Sequence, residues 1–62
     1  MKITYSVTFE FETMPPVTHR GTVVASQVAT GCRLAVRDAQ KALKPRGWQS
    51  LVLNILNRED GE

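Results

Sequence analysis

Cysteine and histidine each occur once in the 62 residues, and that scarcity removes two of the three devices that stabilise very small folds. Cys32 alone closes no internal disulfide, and with His19 it falls short of the four ligands of a structural zinc site. A solitary, reduced thiol fits a cytosolic chain. No apolar run approaches the roughly 20 residues of a membrane-spanning helix, and the first residues lack the pattern of a secretory signal. A glycine-rich phosphate loop is missing too, as is any metal constellation. No catalytic residue, metal or cofactor is therefore expected, and an enzyme of this length would have little scaffold for a pocket. What remains as a stabilising device is a partner chain.

What is present is one domain's worth of patterned sequence. Residues 2–12 alternate, with Ile3, Tyr5, Val7, Phe9 and Phe11 on one face and Lys2, Thr4, Ser6, Thr8, Glu10 and Glu12 on the other. Period two with β-branched and aromatic residues is a half-buried strand. Met14-Pro15-Pro16 ends it, since proline donates no ladder hydrogen bond. A second strand is expected over 17–25, where Gly21 marks either a bulge or a close backbone approach.

Helical spacing follows. Ser26 is the expected N-cap, with Thr30 as the fallback. Val28, Cys32, Ala35, Val36, Ala39, Ala42 and Leu43 form one apolar stripe of mostly small residues, with Gly31 near its edge and Leu34 pointing away. Lys44-Pro45-Arg46-Gly47 stops the helix. A third strand is expected over 48–57, with Leu51, Leu53 and Ile55 on one face and Trp48, Val52 and Leu56 on the other.

These elements predict an α+β fold of order β-β-α-β, a three-stranded antiparallel sheet with one helix on one face. The long, regular first strand suits the centre, giving spatial order 2-1-3. The alternative places the third strand parallel to the second through a right-handed crossover. Residues 1–58 read as a single domain and 59–62 as a flexible acidic tail.

The formal charge is only +2, but it is unevenly placed. From Arg20 to Arg58 seven basic residues face one acid, Asp38. Arg33, Arg37, Lys41 and Lys44 recur at spacings of four, four and three on the helix face opposite the stripe, and Arg46 extends the row. Such a row can lie along a phosphate backbone with Trp48 stacking on bases. It is equally a solvated face whose last-turn lysines complement the helix dipole, the commoner use of such rows. Trp48 is either an interface anchor or the cap of a small core. Glu10 and Glu12 lie on a flat strand face, where pairing with Arg20 or Arg58 is simpler than acid–base chemistry. Cys32, on the stripe, reads as a small buried hydrophobe. One helix covers one face of a sheet, so Trp48, Val52 and Leu56 are expected to form a dimer or partner face.

The run Gly21-Thr22-Val23-Val24-Ala25, with Cys32-Arg33-Leu34-Ala35 and the stretch from Ala39-Gln40-Lys41 to Arg46-Gly47-Trp48, resembles small proteins encoded in bacteriophages and prophages. The element order is also similar to that of the small phage inhibitors of bacterial RNA polymerase, with a hairpin, an alanine-rich helix, a proline-containing turn and a last strand. The likeness spans residues 3–57 and is one of architecture. It carries no functional residue across, and the helix here is basic where the inhibitor's is acidic. It implies a phage accessory or regulatory protein that binds a host or phage protein in the bacterial cytoplasm. Two functions follow for testing: a non-enzymatic protein–protein interaction module, possible as a homodimer, or a nucleic-acid binder using Arg33, Arg37, Lys41, Lys44 and Arg46.

Overall fold

Alternation in the first eleven residues becomes a central strand. The computed structural model describes residues 1–60, in the order β1 (Lys2–Glu10), β2 (Val17–Val24), α1 (Val28–Leu43) and β3 (Ser50–Glu59). The strands form one sheet of order β2-β1-β3, antiparallel at both joints. The α+β class and the 2-1-3 order expected from the sequence are therefore present, and the parallel alternative is not.

The core lies on one side of β1. Ile3, Tyr5, Val7 and Phe9 are all fully buried there, joined by Val23 of β2 and by Ala35 and Ala39 of α1. Small residues on the helix let it lie close to the sheet. The closest approach is at Gly31, where an added methyl would collide with Cδ1 of Ile3. The buried line of α1 is thus Gly31, Ala35 and Ala39, rotated from the expected stripe toward Gly31. Leu34 is half-buried against the core rather than pointing away, while Ala42 is exposed. The helix rolls until its barest position meets the sheet, which a count of apolar side chains does not register. Gly21 likewise marks a close approach and not a bulge, since Tyr5, directly opposite, lays its ring over it.

The helix starts one residue later than a Ser26 cap requires. Gln27 is the N-cap, with no side-chain hydrogen bond, and its carbonyl accepts from the Gly31 N–H at 3.0 Å. The reason lies in the preceding residue. The Ala25 N–H donates to the Met1 carbonyl at 2.9 Å and the Met1 amine donates to the Ala25 carbonyl at 2.7 Å. That pairing keeps the chain extended through Ala25, and Ser26 falls in the turn. At the other end Lys44 adopts a left-handed conformation and its N–H bonds to the Gln40 carbonyl. Pro45 then forbids another turn, and Gly47 takes positive φ.

β1 ends at Glu10, two residues earlier than expected, and β3 is shifted to begin at Ser50 and end at Glu59, opposite Lys2. Glu59 is thus a strand residue; residues 61 and 62 of the expected tail lie outside the described part. The register of β3 against β1 slips between Tyr5, opposite Ile55, and Thr4, opposite Asn57. Leu56 is the additional residue, a β-bulge.

Candidate interaction surfaces

β3 is where the fold leaves apolar surface. Its pairing puts Leu51 beside Phe9, Leu53 beside Val7 and Ile55 beside Tyr5, so these three share the helix side of the sheet with the core. Yet α1 packs over β2 and β1, and barely meets β3. Leu51 and Leu53 stay half-buried and Ile55 is 41% exposed. Of five apolar side chains on β3, none is buried.

The opposite face of the sheet is not the apolar surface the sequence led us to expect. Thr4, Ser6 and Thr8 of β1 run down its centre, with Thr22, Arg20 and Thr18 on one side and Asn57, Asn54 and Val52 on the other. Thr8 and Thr18 join hydroxyls at 2.8 Å, and the Ser50 hydroxyl donates to Oε1 of Glu10 at 2.6 Å. Val24, Val52 and, by alternation from Asn54, Leu56 add apolar area at its margins. Trp48 is on the other side altogether, with its ring edge-on to buried Phe9 at a centroid separation of 5.4 Å. It precedes β3 rather than belonging to it, so strand alternation does not govern its direction. At 37% exposure it both closes the core and shows an edge to solvent. Leu56, 52% exposed, stands at the bulge.

Three members of the basic row share one exposed face of α1. Arg33, Arg37 and Lys41 are exposed along α1, about 12 Å from first to last at the helical rise. Lys44, left-handed at the helix end, and Arg46, beyond Pro45, are exposed too but fall outside the expected helical spacing. Among the described residues the one ion pair joins Arg58 to Asp60, at 3.9 Å, so none of the row is neutralised by contact. The expected pairing of Glu10 or Glu12 with Arg20 or Arg58 does not form. The register sets Arg20 opposite Ser6 and Arg58 opposite Ile3.

Cys32 is half-buried rather than buried. Among the described residues no three His, Cys, Asp or Glu side chains gather as a metal site. No helix there is long and apolar enough to cross a membrane. A pocket at the end of the sheet, lined by Met1, Lys2, Val24 and Glu59, is an open hollow of about 310 Å³.

No family model matches the chain, and neither the curated proteins nor the solved structures hold a match to it.

Proposed function

We propose that this chain is a non-enzymatic protein–protein interaction module, a phage-type accessory or regulatory protein of the bacterial cytoplasm. Its binding surface is the free edge of β3 together with the Leu51, Leu53 and Ile55 row. The carrying observation is the contrast between two neighbouring strands. All four odd-numbered apolar residues of β1 from Ile3 to Phe9 are buried, and none of the five apolar residues of β3 is. An extended segment of a partner added to that edge gains main-chain hydrogen bonds, and its alternate side chains pack alongside the row. The test is capture of a bacterial protein by tagged wild type and by Ile55→Lys, with folding checked by circular dichroism. Capture by wild type that the folded variant loses supports the reading. Equal capture by both sinks it.

A second reading rests on the exposed, unpaired cations of α1 and its following turn, which would track the phosphates of a nucleic acid. Its signature is a log affinity falling with log salt by about 0.9 per phosphate neutralised on duplex DNA. Binding that survives Arg33→Glu with Arg37→Glu removes it.

A further inference from the structure

We propose that the strand accepted by the β3 edge is β3 of a second copy, paired antiparallel about a two-fold axis at Leu53 to make one six-stranded sheet. This rests on the reading of β3 as a binding edge and names its occupant.

The two edges of the sheet are treated differently by the sequence. Soluble proteins blunt edge strands with proline, charge or glycine. β2 has Pro15 and Pro16 immediately before it and His19, Arg20 and Gly21 within it. β3 has β1 on one side only, and from Gln49 to Asn57 it holds no charge, no proline and no glycine. Its outer N–H and C=O groups form an unguarded template. Arg58 and Glu59 come only after the bulge at Leu56, so two copies meet along a flat, uncharged stretch.

Face alternation allows a two-fold through a residue of this stretch, and an axis at Leu53 keeps the bulge out of the paired apolar row. About Leu53, Leu51 lies opposite the partner's Ile55, Leu53 opposite the partner's Leu53, and Val52 opposite the partner's Asn54. Every pair keeps to one face, and the helix side becomes an unbroken apolar row shared by both copies. Moving the axis one residue, to Asn54, sets Leu51 opposite the partner's Asn57 across the bulge, which puts the two on opposite faces. A two-fold of this kind is closed and self-complementary, so assembly stops at two.

Charge favours this occupant over a stacked arrangement. A specific interface needs about 500 Å² from each copy. That is roughly a ninth of the chain's 4386 Å² of accessible surface. β3 supplies ten of the 62 residues, and its five apolar side chains all keep exposed area to contribute toward it. Packing the helix side onto another sheet would instead take Arg33, Arg37 and Lys41 out of water without partners, which is strongly unfavourable. Edge pairing leaves both basic rows solvated.

Cysteine pairing tests the register and mass tests the association. Leu53→Cys in a Cys32→Ser background should form a symmetric disulfide under mild oxidation, because directly opposed residues stand within bridging distance. Asn54→Cys in the same background should form little, since its copies would sit diagonally, at about 7–8 Å. Light scattering between about 1 μM and about 1 mM, the range of ordinary weak to moderate affinities, should show wild type at twice 6.9 kDa. Ile55→Lys should weaken the dimer at least tenfold. A monomeric wild type throughout that range, or a dimer that folded Ile55→Lys leaves intact, overturns the proposal, as does equal disulfide yield at positions 53 and 54. Monomeric wild type that still captures a different protein through Ile55 would end the second-copy assignment and leave the interaction module standing.

Discussion

Gly31 rests on the Cδ1 methyl of Ile3, with no room for a β-carbon between them. This contact sets how near the helix comes to the sheet, and through that how much of the sheet a helix of small residues can cover. Gly31→Ala gains about 1 kcal/mol of helix propensity. It also overpacks a fully buried position, at about 1–3 kcal/mol. We expect a net loss of about 1 kcal/mol, measured by urea unfolding. Removing that one methyl with Ile3→Val should turn the effect round. The pair Ile3→Val with Gly31→Ala should be more stable than the sum of its single changes by about 1 kcal/mol, the scale of coupling between touching residues. Strict additivity would mean that the helix simply lifts away.

Tyr5 should make the fold sensitive to alkali. Burial pushes its phenol above the ordinary value of 10.0, and the Asp38 carboxylate adds to the shift. A group that holds its proton more tightly when folded contributes stability that is complete below the unfolded value. That contribution is lost as pH rises through the folded value. Wild type should therefore lose stability above about pH 10 more steeply than Tyr5→Phe, which has no phenol to ionise. Thermal melts of both from pH 8 upward decide this. Parallel curves would show that the phenol titrates alike in both states.

Trp48 and Val52 should separate cleanly. Trp48 caps the core through Phe9 but is 37% exposed, so Trp48→Ala should cost about 2 kcal/mol, below the roughly 3–5 kcal/mol of a fully buried ring. For a domain of this size each kcal/mol lowers Tm by about 4–8 °C. Val52→Lys, on an exposed face, should stay within about 0.5 kcal/mol of wild type. An unchanged Tm for Trp48→Ala would return the ring to the role of a partner anchor alone.

The parts of this fold legible in the sequence are those where one local rule acts undisturbed. β1 alternates because one face is core and the other open, and it is central because both neighbours bury its apolar face. Three features lay beyond that kind of reading, each for its own reason. The roll of α1 is decided by an absent side chain, Gly31, which apolar periodicity scores as nothing. The direction of Trp48 is set by a loop, where alternation has no force. The position of the uncovered apolar surface depends on which two of three strands the helix overlies. That is a packing outcome of the whole sheet, and it adds the helix side of β3 to the exposed Val52 and Leu56 as apolar candidate surface. Helical spacing alone fixes Arg33, Arg37 and Lys41 on one exposed face, whereas Lys44 and Arg46 lie past the helix end.

Lys44 offers the sharpest test of backbone strain. It closes α1 in the left-handed conformation, φ 48° and ψ 52°, with its N–H on the Gln40 carbonyl. That position is ordinarily glycine's, because a β-carbon there crowds the following carbonyl by about 1–2 kcal/mol. Lys44→Gly should relieve this strain. Part of the relief is offset by the greater freedom glycine has in the unfolded chain. We expect a net gain of about 0.5 kcal/mol, seen as a small rise in Tm. Lys44→Ala keeps the β-carbon and loses the same charge, so it should give no gain. If both variants gained equally, the relief would be electrostatic, coming from a thinned row of cations beside Lys41 and Arg37, and the backbone at Lys44 would carry no strain.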